Sequence, residues 1–485
     1  MLGQGRGRVA FSAVWMAAAV LIPPLFISLT PLRATDLAYH LRAGEVMLDG
    51  GSLLRVDTFT LLAAGRPWLN QQWGAQILLV SAFRGGGWFS LALLRAALLG
   101  SSAALVFLAC RNAGASRLPA AALTLVGGAL FMGGGDLRPQ LFGVACFALV
   151  LWAMASRGRH PSRILLIFPV TIVWANVHGS FVLAPVTVLI GAIEDSADGR
   201  PESRRSWLLA IATLFATAVN PFGPRVWGYV SQLSTDPTIR SVVSEWRRPS
   251  LDPADGSIVA VSALLAVTFV AALALVWTSM RRPRWPLLLA LGVFVLPAAA
   301  SIRGIVWWGM AAPVVLSEVI DDRLPIPSRD RTNAVNTVVV AALSGVLLAG
   351  LLRFAPYTSR EPPPASLLAF APTEITRELR ATLRPSEPFF NAQLWGSWFE
   401  YALPNHPVVV DSRIEVIPEG VWADYLAVSS AREGWAQILE RWRIRVAALR
   451  FDQQGALIQA MREDEDWVES LTEGDGALFV RRGTE

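Results

Sequence analysis

The sequence predicts an α-helical polytopic membrane protein of about eleven transmembrane helices, N-terminus inside and C-terminus outside, followed by a small extracytoplasmic α/β domain. Three observations carry that prediction. Of the 485 residues 53% are hydrophobic and only 16% charged, against about 25% charged in soluble domains. A mean hydropathy of +0.45 reflects more apolar surface than one soluble domain buries, so lipid must solvate much of the chain. Beyond Pro362-Pro363-Pro364 the composition changes to that of a soluble domain. A soluble enzyme, a disordered tail and a collagen-like fibre are thereby excluded.

A bilayer crossing needs about 20 apolar residues. Eleven stretches are candidates: 9–30, 86–110, 118–131, 139–155, 164–175, 181–193, 207–219, 258–277, 285–300, 305–320 and 334–352. The first follows Arg6 and Arg8 and exceeds the apolar region of a signal peptide, so it reads as a signal anchor. All 42 basic residues are Arg. Cytoplasmic loops collect positive charge because it resists translocation. An inside N-terminus puts Arg111 and Arg117, then Arg157, Arg159 and Arg163, then Arg200, Arg204 and Arg205 in such loops. Arg281, Arg282 and Arg284, then Arg323, Arg329 and Arg331, follow suit. Orientation thus accounts for the pI near 9.8 and removes nucleic acid as a partner. The assignment requires a turn at Asn176-Val177-His178-Gly179, since one helix over 164–193, about 45 Å long, would place the later arginine clusters outside.

On this topology residues 1–353 form a transmembrane domain with an external loop at 31–85, and residues 354–485 an extracytoplasmic soluble domain. There, apolar runs at 408–410 and 446–449 alternate with helical stretches at 434–443 and 455–462, which predicts a largely parallel sheet. Cys110 and Cys146 lie in apolar runs, and no metal-ligand spacing is present. No P-loop, GxSxG, HExxH or GxGxxG-helix motif occurs, so ATP-driven transport, serine hydrolysis and dinucleotide chemistry lack support.

The polar residues of interest fall on the outer side. In TDLAYHLRAGE, Asp36 and His40 share a face of a helix starting at Thr35, with Leu37, Leu41 and Leu48 on the lipid headgroups. A carboxylate held at the water boundary is partly desolvated, which suits a general base. The competing readings are a helix cap for Asp36 and a surface role for His40; Glu45 and Asp57 are further acids of this segment. In GGGDLRPQ, Arg138 precedes Pro139 at a helix N-terminus and opposes the dipole, so it needs a phosphate or a carboxylate, the nearest being Asp136. Asn176 and His178, beside Trp174, sit at membrane depth, where polar groups face a cavity or a partner; a structural histidine fits equally. The 220–256 segment carries Arg225, Tyr229, Glu245, Trp246, Arg247 and Arg248, a composition suited to a sugar and a phosphate or to an interfacial aromatic belt. Arg303, with Trp307 and Trp308, is a second candidate phosphate ligand. In the outer domain Asn391, Trp395, Gly396, Asp411 and Arg413 lie near a strand end, where α/β sheets bind ligands, or Asp411 and Arg413 simply pair.

Taken in order, TDLAYHLRAGE, RVDTFT, RPWLNQQW, LRPQLF, WANVHGSF and NPFG resemble the GT-C superfamily of polytopic glycosyltransferases, particularly the bacterial branch similar to the dolichyl-phosphate-mannose-type and Rgt-like enzymes. The resemblance covers about the first 350 residues. It implies a plasma (inner) membrane enzyme that takes a sugar from a polyprenyl-phosphate donor and transfers it with inversion to a glycan, lipid or protein acceptor outside. On that resemblance Asp36 is the base, and Arg138 or Arg303 holds the lipid phosphate. His40, Asp136, Asn176, His178 and Arg225 complete the candidate substrate-binding set. Leu37 follows Asp36 where the better-known members have an Asp-Glu pair, so a single base and a carboxylate-bound divalent cation are alternatives. Two other readings compete: an O-antigen ligase or polymerase acting without an acidic base, and a non-catalytic transporter or assembly subunit, for which Arg95 is the one charge plainly inside a span.

Overall fold

The computed structural model describes residues 8–279, 284–322 and 330–483; Arg6, Arg281, Arg282, Arg323 and Arg329 lie outside the described residues. In chain order the first helices are α1 (Phe11–Leu29), α2 (Leu37–Gly50), α3 (Trp73–Asn112), α4 (Arg117–Phe131), α5 (Pro139–Ala155), α6 (Ile167–Val177) and α7 (Leu183–Ala197). There follow α8 (Ser203–Ala216), α9 (Arg225–Thr235), α10 (Pro237–Val242), α11 (Ser257–Thr278), α12 (Trp285–Ala300), α13 (Ile305–Leu316) and α14 (Ala334–Leu352). The last are α15 (Thr373–Thr382), α16 (Gln393–Ala402), α17 (Glu419–Ser429), α18 (Trp435–Arg441) and α19 (Phe451–Glu463).

Each of the eleven apolar stretches falls largely in helical structure. Among the described residues six helices are long and apolar enough to cross a membrane, and four more apolar helices are shorter; the stretch at 207–219 falls largely in α8, of 14 residues. The turn required by the arginine distribution is present, because α6 stops at Val177 and His178 is extended (φ −160°, ψ 143°). By packing, the chain forms two compact units, Met1–Pro31 with Gly85–Ser359 and Leu32–Arg84 with Arg360–Glu485. Residues 32–84, which chain order attaches to the membrane region, therefore fold with the C-terminal part. The change of unit falls where α3 is kinked, at Gly86 and Gly87.

In the first unit α4 and α13 approach so closely that a Cβ on Gly127 would stand 2.1 Å from the Gly309 carbonyl oxygen. Small residues permit such contacts between apolar helices, where dispersion replaces the hydrophobic effect. Helices α5, α7, α12 and α13 run between two polar layers. One layer holds Arg138, His178 and Arg303; at the other ends Arg157 pairs with Glu194 (2.6 Å) and Asp195 (2.9 Å), and Arg284 with Glu318 (2.6 Å) and Glu194 (3.1 Å). A cavity of about 330 Å³ opens at this second end, bordered by Arg157, Glu194, Arg200 and Glu318.

The second unit carries a four-stranded sheet. Its strands, labelled with the two short strands Val9–Ala10 (β1) and Thr332–Asn333 (β2) of the first unit, are β3 (Phe390–Asn391), β4 (Val446–Arg450), β5 (Trp467–Glu473) and β6 (Gly476–Arg481), in the order β3-β4-β6-β5. Only β3 and β4 are parallel, and the other two pairings are antiparallel. The expected largely parallel sheet is thus corrected: a tight turn returns the chain from β5 directly beside itself as β6, with no helical crossover. The run 408–410 makes isolated bridges to Thr60 and Phe389 in place of a full strand. Its amides are satisfied by a side chain, since Asn391 accepts from Val409 N–H (2.9 Å) and donates to the Val410 carbonyl (2.8 Å). Leu37 and Leu41 are buried, not spread on headgroups, and only Leu48 is exposed, at 39%.

Candidate functional site

In the first unit, three residues predicted from separate loops meet. Arg138, the extended residue before α5, donates from Nη1 to both carboxylate oxygens of Glu245, at 2.6 and 2.8 Å. Arg303, on the turn between α12 and α13, places Nη1 4.0 Å from the same carboxylate and Nη2 3.3 Å from His178 Nε2. Its guanidinium lies 5.4 Å from the Trp246 ring centroid. The Ile302 N–H donates to the Arg247 carbonyl (3.0 Å), tying the Glu245 segment to the Arg303 turn.

His178 is oriented from behind. The Ser180 N–H donates to Nδ1 (3.1 Å), and the Trp174 indole donates to Ser180 Oγ (3.0 Å). Nδ1 also lies 2.7 Å from Ser180 Oγ, so the ring is held on its Nδ1 side while the Arg303 guanidinium approaches Nε2. The turn nests against α5 because residue 143 is glycine: a Cβ there would meet Ser180 Oγ at 2.8 Å, Trp174 Nε1 at 3.0 Å and His178 Nδ1 at 3.2 Å. Gly143→Val is therefore expected to cost about 1–3 kcal/mol of stability by overpacking, which thermal unfolding of the purified variant measures.

Asp136 does not pair with Arg138. It binds Arg95 (2.8 Å), whose guanidinium also donates to the carbonyls of Gly135 (2.9 Å) and Pro31 (3.2 Å). Arg95 thus satisfies backbone carbonyls at element ends, a structural use that gives the transporter reading no mid-span charge pair. Asn176 donates to the carbonyls of Ile172 (2.8 Å) and Val219 (2.9 Å), joining α6 to the end of the α8 region. Arg225 begins α9 and is exposed, outside the contacts that join Arg138, Arg303 and His178.

In the second unit, Asp36 precedes α2 but makes no side-chain cap bond, which removes the capping explanation. Its carboxylate, 18% exposed, stands 3.9 Å from Nε2 of His40, itself 1% exposed. His40 Nδ1 is 3.3 Å from Gln76 Nε2, and Gln76 is held by reciprocal amide bonds with Asn70 (2.8 and 2.9 Å). Asn70 of the NQQW motif therefore forms, with Gln76, a buried amide pair behind the histidine. The chain Asp36–His40–Gln76–Asn70 fixes the orientation of the imidazole.

Beside it lies a buried ionic cluster. Arg413 pairs with Asp57 (2.7 Å), Glu400 (2.9 Å) and Asp411, and its guanidinium lies 4.8 to 5.5 Å from the rings of Trp68, Phe59 and Tyr39. Burial, reinforced by the Asp411 charge, raises the Glu400 carboxyl well above its usual range. Burial also pushes the Asp411 carboxyl up, but the Arg413 guanidinium and the Glu400 bond outweigh it and hold that group low. Burial raises the Tyr39 hydroxyl, with the Asp36 charge adding to the effect. The expected Asp411–Arg413 pairing is present, and Asp57 of RVDTFT and Trp68 of RPW join it as structural parts of the same cluster.

Among the described residues no group of three or more His, Cys, Asp or Glu could hold a metal ion.

The fold is similar to those of solved membrane enzymes, among them an oligosaccharyltransferase and an arabinofuranosyltransferase. The chain is similar to ArnT from Cupriavidus metallidurans bound to undecaprenyl phosphate, at a TM-score of 0.55 and 14% identity, over 98% of this chain and 99% of that one. It is similar also to the oligosaccharyltransferase AglB from Archaeoglobus fulgidus in complex with an inhibitory peptide and a dolichol-phosphate (TM-score 0.51, 11% identity, 90% and 69% covered). A third similar structure is a mutant mycobacterial arabinofuranosyltransferase AftD, at a TM-score of 0.54 and 16% identity, over 97% of this chain and 42% of that one. No family model and no curated protein matches the sequence.

Proposed function

We propose that the chain is an integral membrane glycosyltransferase that moves a sugar from a polyprenyl-phosphate donor to an acceptor on the outer face of the plasma membrane, with inversion. The observation that carries this reading is the meeting of Arg138, Arg303 and His178 at one end of an apolar bundle, where a lipid phosphate can be held while its tail stays in the hydrocarbon. The GT-C fold supports the reading.

In the proposed reaction the acceptor oxygen attacks the anomeric carbon and its proton passes to the Asp36 carboxylate. The bond from that carbon to the phosphate oxygen breaks, and its electron pair leaves on the polyprenyl phosphate. The leaving phosphate gains a negative charge, which Arg138 and Arg303 stabilise more strongly than the donor diester. Fixed donors aimed at developing charge contribute most where water is excluded. Asp36 serves as a base because a hydroxyl is a weak nucleophile without one, and the buried His40–Gln76–Asn70 chain positions its neighbour.

Arg138→Ala is expected to weaken undecaprenyl phosphate binding about 10- to 100-fold, the worth of a hydrogen bond to a charged group. Binding of the radiolabelled lipid to the purified full chain measures it; wild-type affinity in the variant would remove the phosphate site from the reading.

A further inference from the structure

The donor cluster holds a carboxylate where the proposed function needs a phosphate. We propose that Glu245 is an internal stand-in for the donor phosphate: it occupies the arginine pair when no lipid is bound, and the phosphate enters by exchanging with it. This rests on the reading of Arg138, Arg303 and His178 as the phosphate site. Both Glu245 oxygens lie on Arg138 Nη1 at 2.6 and 2.8 Å, and one lies 4.0 Å from Arg303. Two oxygens shared between two guanidinium groups is the pattern a phosphate makes. The same guanidinium groups cannot give their donors fully to both anions, so carboxylate and phosphate compete.

The segment bearing Glu245 is built to yield. Between Arg225 and Gly256 few side chains are buried, Val226 and Ile239 among them, and Glu245 is itself 40% exposed. Glu245 and Trp246 lie on a single 3-10 turn with no buried residue, so the carboxylate can leave without opening a core. The segment stays tethered at Arg247, whose carbonyl accepts from Ile302 and whose side chain pairs with Asp255. Exchange therefore moves the carboxylate and the turn that carries Trp246, while Arg303 remains at the mouth of the site. Glu245 then acts on the reaction through occupancy: it keeps two arginines ordered when empty and sets how tightly the product phosphate is retained after transfer.

The test compares wild type, Glu245→Gln and Arg138→Ala, each as the full chain in nanodiscs, for binding of undecaprenyl phosphate and for tryptic cleavage after the exposed Arg247. Glu245→Gln keeps the volume and removes the competing charge. The expected result is binding about three- to fivefold tighter than wild type, the scale of a half-exposed ion pair. Cleavage after Arg247 is expected to rise on adding lipid to wild type and to be raised already in lipid-free Glu245→Gln. If wild type binds the lipid and Glu245→Gln binds equally or more weakly, the exchange is overturned while the phosphate site stands. If neither binds and Arg138→Ala is indistinguishable from them, the phosphate reading fails and the exchange fails with it.

Discussion

Asp36→Asn is expected to lower sugar transfer by about 10²- to 10⁴-fold, the usual contribution of a positioned general base, while undecaprenyl phosphate binding stays at the wild-type level. The substitution keeps the shape of the side chain and removes its basicity. Because Asp36 makes no side-chain cap bond to α2, the variant keeps the capping of that helix unchanged. The split between lost turnover and retained lipid binding is the diagnostic, measured with a polyprenyl-phosphate sugar in membranes and with the bare lipid phosphate. Full transfer by Asp36→Asn would eliminate the base role and leave the ligase-type chemistry, which needs no carboxylate. His40→Gln should lower transfer less, since it disturbs only the neighbour that Gln76 holds in place.

The second large effect concerns the Arg413 cluster. Removing one partner of a buried ion pair leaves an uncompensated charge and costs about 3–5 kcal/mol. Asp57→Asn and Arg413→Met are both expected to destabilise the chain on that scale, seen as a fall in thermal unfolding temperature. Glu400→Gln is expected to behave differently. Glu400 accepts from Arg413 and its carboxyl is raised by burial and the Asp411 charge, and a Gln amide keeps the acceptor while carrying no charge. Its proton is held more tightly in the folded protein than in the unfolded chain. Its contribution to stability is therefore complete below the ordinary carboxylate range and is lost as pH rises through the raised folded value. Wild type should lose stability along that rise and Glu400→Gln should show a flatter profile; parallel profiles would move the proton off Glu400.

The local parts of the structure were legible in the sequence. Apolar runs bounded by Arg, Pro and Gly placed helices over all eleven stretches, and the arginine distribution required the break at His178 that the backbone makes. The sequence also pointed to Arg138, His178 and Arg303 as separate candidates. It did not reveal what joins them. Glu245 is the only acid between Asp236 and Asp252 and sits beside Trp246, a signal that was present, yet it is 107 residues from Arg138. Proximity in sequence suggested Asp136 instead, which Arg95 takes from 41 residues away.

RVDTFT and RPWLNQQW show the same division. Their positions were clear, but Asp57 and Trp68 acquire meaning only beside Arg413, more than three hundred residues later. Hydropathy and chain breakers act over one or two turns of helix, so the sequence alone determined where the apolar helices lie. Ion pairs and close helix contacts act between segments that only packing brings together. The tertiary structure therefore decided which carboxylate each arginine holds, that residues 32–84 fold with the C-terminal part, and that most of the sheet is antiparallel. Buried charges must find partners wherever the fold provides them, and that requirement is not written in sequence order.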